Sequence, residues 1–392
     1  MDSEAFRALL SPAGAGVLRE AVHLGIGEDD LLVTSARLRD RHPPGLVAAA
    51  LTQARLRDRA AAKFGPDAAR MYFTPDGLEQ ATRPAVAALR AARYAELGRP
   101  VTDLCCGIGG DLVALARAGL PVSGVDADPL TVEVARANLA ALGLAGEVVL
   151  ADVTAYGLGG SGAAFCDPAR RAGGRRVFDP AAYSPPWDFL LALREKVADT
   201  GFKVAPGLAH ELIPADAEAE WVSERGEVKE AALWFGALRR DGVRRRATVL
   251  PAGATLTGGD AEPPAAGPVR RYLYDPDGAV VRGHLVAEVA ARLDATLLDP
   301  TIAYLTADRL EPTPFARAYE VTEVLPFQLK RLRALLRDRR VGTLEIKKRG
   351  SALEPERLRH DLRLTGPNAA TLVLTRVAAR PTAILCQAVA VR

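Results

Sequence analysis

The chain has 392 residues, 49% of them apolar, and a net charge of only +3. At ordinary domain sizes that length holds two or three packed cores, and no apolar run reaches the roughly eighteen residues of a transmembrane helix. The acidic start, Met1-Asp-Ser-Glu-Ala-Phe6, lacks the basic-then-apolar layout of a signal peptide, so a cytoplasmic protein with no membrane partner is expected. Residues 315–392 carry 16 Lys or Arg against 7 Asp or Glu, a net of +9, which leaves −6 for residues 1–314. A basic terminal module on an acidic body points toward nucleic acid, although 44 Arg against 7 Lys lets part of that basicity reflect the coding sequence. Cys105, Cys106, Cys166 and Cys386 show no zinc spacing and none of the five histidines falls into a ligand pattern, so no metal is expected.

Residues 1–98 read as a helical region. Phe6, Leu9 and Leu10, then Val17, Leu18, Ala21 and Val22, recur at helical spacing until Gly25 to Gly27. Asp29 is placed to cap a second helix, which Pro43-Pro44 ends, and a third covers Leu46 to Phe64. Met71-Tyr-Phe-Thr-Pro-Asp-Gly-Leu-Glu-Gln80 then leads into a helix from about Glu79 to Leu97.

Residues 99–250 alternate strands and helices. Pro100-Val-Thr102 approaches Asp103-Leu-Cys-Cys-Gly-Ile-Gly-Gly-Asp111, and a helix follows from Leu112. Strand, glycine turn, helix is a ligand-binding arrangement, because glycines let backbone come close and the helix start offers free N–H groups. Cys105 and Cys106 are read as small residues packing the strand. Strands Pro121–Val125, Glu147–Ala151 and Ala163–Cys166 end in Asp126, Asp152 and Asp167, with a helix from Pro129 to Leu142 between the first two. Open α/β sheets bind ligands beyond the carboxyl ends of their strands, where these acids fall. A helix to Val197, a strand 201–205 and a hairpin around Arg225-Gly226 come next, then one more strand, 244–250. Residues 251–314 read as a loop or linker with a connecting helix, Gly283 to Leu293. Residues 315–392 read as an α/β module with strands at 318–324, 341–347, 370–377 and 382–390 and helices at 326–340 and 354–361.

Taken together the acids describe a ligand. Asp126 lies about twenty residues past the glycine turn, where an acid accepts from ribose hydroxyls. Asp152 is placed to accept from an adenine amino group. Asp103 and the glycine backbone suit an amino-acid ammonium and carboxylate. Leu112 stands where a dinucleotide fingerprint would have its third glycine, so no pyrophosphate is implied. Adenine, ribose and a zwitterionic tail describe S-adenosyl-L-methionine.

On DLCCGIGGD (103–111), GVDADP (124–129), LAD (150–152), CDPARR (166–171) and the late hairpin, residues 71–240 resemble the class I S-adenosylmethionine-dependent methyltransferases. The resemblance implies a Rossmann-like seven-stranded sheet. It also implies cofactor contacts at Asp103, Cys105, Gly107, Gly109, Gly110, Asp126, Asp152 and Asp167, with Thr74 from the lead-in. KFGPDAARMYFTPDGLEQAT (63–82), SERGEVKEA (223–231), YLYDPDGAVVR (272–282) and EIKKRG (345–350) carry a narrower resemblance, to bacterial methyltransferases with a C-terminal THUMP-like domain. THUMP modules bind RNA in tRNA-modifying enzymes, so the resemblance implies RNA, a tRNA or rRNA, as partner.

The acceptor is less legible. Exocyclic-amine methylases use an aromatic after Asp-Pro-Pro to stack a flipped base, and Asp167-Pro-Ala-Arg170 has none. Carbon-5 methylation needs a thiolate, and the nearest thiol, Cys166, is expected inside a strand. A ring nitrogen or ribose hydroxyl remains, with Asp167 and Arg170 as candidate catalytic residues. Lys203, Lys229, Lys347 and Lys348 stand out as lysines in an arginine-rich chain, and Lys347-Lys348-Arg349 is the candidate phosphate contact. Two other readings compete: methylation of a small molecule or protein, and an RNA-binding protein that keeps the cofactor without catalysis.

Overall fold

In a computed structural model, which describes residues 2–24, 31–169, 171–172, 175–176 and 180–389, the chain divides into two units. One comprises Met1–Ala217 with Ala231–Asp241, the other Glu218–Glu230 with Gly242–Arg392.

The first unit opens with helices α1 (Ser3–Leu10), α2 (Pro12–Leu24), α3 (Leu31–Arg39), α4 (Pro44–Phe64), α5 (Pro75–Gln80) and α6 (Pro84–Ala95). Asp2 caps α1, accepting from the Ala5 N–H, and proline opens α4, α5 and α6, where a missing N–H costs nothing. The single helix expected from Glu79 to Leu97 is therefore two, because Pro84 cannot continue α5. The expected cap Asp29 lies outside the described residues. Phe6, Leu9, Val17, Leu38, Val47, Phe64 and Phe73 bury their apolar faces in one core. Ile108 of the glycine turn belongs to the same core, so the helical region and the turn are packed as one body.

The alternating stretch forms β1 (Val101–Leu104), α7 (Gly110–Arg117), β2 (Val122–Asp126), α8 (Pro129–Leu142), β3 (Glu147–Leu150) and β4 (Ala163–Cys166). A two-residue ladder, β5 (Arg171–Ala172) with β6 (Arg175–Arg176), precedes α9 (Trp187–Lys196), β7 (Thr200–Val204), β8 (Glu218–Glu224) and β9 (Glu227–Trp234). Strand β1 pairs in parallel with β2 on one side and β4 on the other; β3 follows β2 and β7 follows β4. Residues Ala231–Trp234 of β9 run antiparallel to β7. The strand order reverses between β1 and β4, which makes their carboxyl ends the switch point of the sheet. Gly201 permits a close approach here: a Cβ would lie 2.6 Å from the Tyr94 hydroxyl, which donates to the Ala164 carbonyl at 2.6 Å.

Six strands of the expected seven-stranded sheet belong to this unit. The other hairpin arm, β8, groups with the second unit, where β10 (Arg245–Leu250) pairs with it in parallel and β11 (Ala254–Gly258) adds antiparallel to β10. The sheet therefore has more strands than expected, and β11 occupies residues expected to form a loop. Arg225 and Gly226 both take positive φ, 55° and 82°, as a two-residue hairpin turn requires.

The second unit continues with β12 (Tyr272–Pro276), α10 (Gly278–Arg282), α11 (Val286–Leu293), β13 (Thr296–Asp299), β14 (Ile302–Ala307), β15 (Ala316–Pro326), α12 (Leu329–Asp338), β16 (Val341–Lys348), α13 (Pro355–Leu362), β17 (Asn368–Val377) and β18 (Arg380–Ala388). Seven of these strands form one sheet in the order β13-β14-β12-β15-β18-β17-β16. Residues expected to connect thus supply three strands, and β12 pairs along its whole length with β15. Leu332, Leu336, Leu358 and Leu362 of α12 and α13 pack with Leu344, Leu372 and Leu385 of the sheet.

Candidate active site

At Cys105 the chain leaves β1 with φ +60°, followed by Gly107 at +55° and Gly109 at +86°. The strand therefore ends at Leu104, one residue short of the cysteine pair. Left-handed backbone at a non-glycine residue costs roughly 1–2 kcal/mol and persists only where surroundings enforce it. The enforcement is visible. The Gly107 N–H donates to Asp126 Oδ2 at 3.0 Å, and the Cys106 N–H donates to the Val125 carbonyl at 3.1 Å. Cys106 is buried as expected, its Sγ 3.0 Å from where a Cβ on Gly124 would stand. A Cβ on Gly107 would meet nothing within 4 Å, so open space lies beside this glycine.

The lead-in braces the same turn. Thr74 caps α5 by accepting from the Gly77 N–H at 3.0 Å, and a Cβ on Gly77 would strike Ile108 Cγ2. Asn138 on α8, fully buried, donates to the carbonyls of Ile108 (2.8 Å) and Tyr72 (3.1 Å) and accepts from the Tyr72 N–H at 2.7 Å. Gln53 on α4 bonds both backbone groups of Phe73. Gly110 faces Ala81 and Thr82, just past α5.

Three strand-end acids differ sharply in environment. Asp103 is 1% exposed, and among the described residues neither carboxyl oxygen has a hydrogen-bond partner. Burial, reinforced by the nearby Asp167 and Asp126 and opposed by Arg90 and Lys203, pushes its carboxyl up to about 8. Asp126 is half-buried and accepts the N–H of Gly107 on one oxygen and that of Asp128, at 3.0 Å, on the other. Each oxygen retains a second lone pair. Asp152 accepts the Thr154 N–H (2.8 Å) and hydroxyl (2.7 Å), both on Oδ1, and these bonds hold its carboxyl below the ordinary range.

Asp167 follows β4 and stands in a chain of polar contacts. Lys203 on β7 donates to Asp167 Oδ2 at 2.5 Å and to the Thr82 hydroxyl at 3.1 Å. Thr82 donates to Asp111 Oδ2 at 2.7 Å, and Asp111 pairs with Arg90, whose guanidinium lies 4.2 Å over the Phe165 ring. The Lys203 side chain is 6% exposed and that of Asp167 24%, so the acid faces solvent and the lysine does not. Cys166, beside it, is fully buried, and contact with the Cys105 side chain together with burial pushes its thiol well up.

The residues read from sequence fall into two groups. Asp103, Cys105, Gly107, Gly109, Gly110, Asp126 and Asp167 gather at the carboxyl ends of β1, β2 and β4, with Asp152 just past β3 and Thr74 capping the helix packed on the turn. Arg170 lies outside the described residues. In the second unit, Lys347 and Arg349 share Asp275 on β12, at 3.0 and 2.9 Å, and Lys348 pairs with Glu354 at 2.9 Å. Their charges are met locally. Sequence reasoning missed Thr82, Arg90, Asp111 and Asn138. It singled out Lys203 only by its rarity, without the partner that gives it meaning.

An orphaned buried carboxyl, a left-handed glycine beside open space and an acid with spare acceptor capacity fit a ligand with an ammonium group and vicinal hydroxyls. S-adenosylmethionine is such a ligand.

Known proteins resemble this chain. A THUMP domain-like family model matches residues 316–388, and a domain of unknown function, DUF8688, matches residues 2–60. Over 354 residues the chain is 42% identical to an uncharacterized S-adenosylmethionine-dependent methyltransferase of Mycobacterium tuberculosis, spanning 88% of this chain and 95% of the relative. The sequences from strains CDC 1551 and H37Rv match equally. Among solved structures, a protein of Porphyromonas gingivalis W83, provisionally named a methyltransferase, shares the fold. Its TM-score is 0.77 at 22% identity, covering 96% of this chain and 99% of that one.

Proposed function

The chain belongs to the S-adenosylmethionine-dependent methyltransferases, and from that premise we propose that its methyl acceptor is RNA, a tRNA or rRNA, modified at a ring nitrogen or another non-carbon position. The observation that carries the proposal is the basic C-terminal module, net +9 over residues 315–392, on the segment that the THUMP domain-like model matches.

The cofactor supplies a methyl group on a sulfonium leaving group. Asp103 holds the ammonium, which provides the buried carboxylate with the partner it lacks. The N–H groups that open α7 from Gly110 receive the carboxylate, which Gly107 and Gly109 let approach the turn, Asp126 takes the ribose hydroxyls, and Asp152 the adenine amino group through Oδ2. Thr74 fixes the helix that closes over the turn, and Cys105 shapes the turn through its left-handed backbone.

Asp167 orients the acceptor and takes its proton. Lys203 occupies Oδ2 and fixes the orientation of the carboxyl, which leaves Oδ1 for the acceptor. Arg170 is proposed to contact the substrate phosphate beside it. Two features narrow the acceptor, one against a ring carbon and one against an exocyclic amine. Cys166 is buried with its thiol held protonated, unlike the thiolate that carbon-5 chemistry requires. Arg170 stands where an aromatic would stack a flipped base for amine methylation.

Nucleoside mass spectrometry of total RNA from a deletion strain tests the reading. One methylated nucleoside should disappear and return on complementation; an unchanged profile would transfer the acceptor to small molecules or protein.

A further inference from the structure

The basic module contains a second concave feature, remote in sequence from Lys347–Arg349. Arg333 and Arg337, one turn apart on α12, line a cavity of about 230 Å³ together with Arg340, Arg363, and the segment Leu364-Thr-Gly-Pro367. Its lining includes four arginines and no acid. Several cations elsewhere in the module are matched: Lys347 and Arg349 by Asp275, Lys348 by Glu354, and Arg339 by Glu323. The side chains of Arg337, Arg340 and Arg363 have no ion pair or hydrogen bond among the described residues. Arg333 donates Nη2 to the Asp361 carbonyl, while its Nε is buried with no partner.

The frame around them is tightly tied. Arg340 and Arg363 both take left-handed backbone, φ 54° and 50°, which turns the chain after α12 and after α13. The Asn368 N–H donates to the Arg340 carbonyl at 3.0 Å, its side chain donates to the Arg339 carbonyl at 2.8 Å, and the Gly366 N–H donates to the Val341 carbonyl at 3.3 Å. A Cβ on Gly366 would collide with the Arg340 carbonyl oxygen, so glycine is needed for the two turns to touch. Backbone strain and close stitching thus hold four guanidinium-bearing positions around one hollow. Part of their stability comes from the negative ends of α12 and α13, which favour cations nearby. That does not supply the guanidinium forks with acceptors, and an oxyanion does.

We propose that this arginine-lined cavity is a phosphate-binding site that grips the backbone of the RNA substrate. The site rests on the RNA reading above. The cavity is smaller than the roughly 300–1,000 Å³ of pockets that enclose whole small molecules, and it contains no aromatic to stack a base. It suits one phosphodiester group, read for charge and not for sequence.

The test uses the full-length protein with Arg337→Ala and Arg363→Asn combined; Asn tolerates the left-handed backbone at 363. Filter binding of purified bulk tRNA is measured between about 50 and 200 mM salt. The double variant should bind at least about tenfold more weakly at the low end, with a log–log salt slope shallower by about one. The loss should be equal for tRNA and for a homopolymeric RNA. Arg337→Lys should retain most of the affinity, and calorimetric affinity for S-adenosylmethionine should not change. A wild type that binds tRNA together with a double variant that binds it equally well would overturn the pocket and leave the RNA reading standing. A wild type that binds no RNA would overturn both. Tight binding of inorganic phosphate with unaltered tRNA affinity would assign the site to a free anion and overturn the backbone contact.

Discussion

The strand-end cluster of the first unit and the Lys347–Arg349 stretch of the second both present charge that stands out in the sequence, and they treat that charge in opposite ways. Asp103 is buried with neither oxygen bonded, beside two further acids. Lys347 and Arg349 converge on the single carboxylate of Asp275, and Lys347 also lies 5.7 Å over the Tyr319 ring. A buried carboxyl without a partner keeps its proton, since ionising it there is expensive until a ligand cation arrives to meet it, whereas a half-exposed pair with a partner and a stacked ring is part of the scaffold. Lack of a partner, more than the presence of charge, separates the proposed binding site from the frame.

The sharpest way to break this contrast is at Asp103. Asp103→Asn should weaken S-adenosylmethionine binding at least about 100-fold, within the range for removing one partner of a buried charge pair, as read by calorimetry. The same group gives a pH signature. In the folded protein its carboxyl keeps its proton up to about 8, while the unfolded chain releases it near the ordinary 3.8. Between those values the folded state binds more protons, so this group's contribution to stability is greatest below pH 4 and is lost as pH rises toward 8, by at most about 1.4 kcal/mol per pH unit. Denaturant titrations across that window should show the slope in the wild type without cofactor and a flatter one in Asp103→Asn. An equal slope in both would place the titration elsewhere.

Lys203 comes next. Lys203→Ala leaves Asp167 without its cation and should cost about 3 kcal/mol of stability, the low end for a broken buried pair because Asp167 is part-exposed. Methyl transfer should fall through kcat while cofactor affinity stays within a few-fold; a purely structural lysine would lower stability and leave the kcat of the remaining folded enzyme intact. Asn138→Leu should cost about 2 kcal/mol, since it strands buried groups of Tyr72 and Ile108, and it should loosen the lead-in from the turn; chemical denaturation reads the loss. Asp126→Ala should raise the cofactor Kd about tenfold or somewhat more, the weight of hydrogen bonds to a charged group. The smallest effect belongs to the paired region. Lys347→Ala with Lys348→Ala should weaken tRNA binding only about two- to threefold, because each cation already has an acid, and cofactor affinity should hold. Unchanged RNA affinity would remove these two lysines from the interface.

Much of the first region is legible in the sequence. The glycine turn and the acids depend on local spacing: strand, turn, next strand end, repeated. Lys203 and Thr82 meet across 121 positions, and Asn138 reaches Tyr72 across 66. No local pattern announces such meetings; they exist only once β7 lies beside β4 and α8 lies under the lead-in. Cys105 illustrates a different gap. Nothing about a cysteine foretells left-handed backbone, so β1 stops ahead of a cysteine pair that spacing alone assigns to it. In the second region Thr296–Asp299 and Ala254–Gly258 are runs of four and five residues, too short for their periodicity to distinguish strand from loop. The local pairing of Lys347, Lys348 and Arg349 is as hidden as that of Lys203, because Asp275 is 72 positions away from Lys347.

The ladder between β12 and β15 bears on how this protein can be handled. Tyr272 to Pro276 covers one side of Ala316–Glu320, the first five residues of an eleven-residue strand. A fragment cut to the family-matched segment 316–388 would lose that cover and leave the whole of this side of β15 without a partner strand. Such margins recruit further strands, and the first recruit at hand is another copy of the same fragment. Isolated in that form, the module would self-associate before it met any RNA, and a multivalent basic aggregate would hold nucleic acid whether or not the intact protein does.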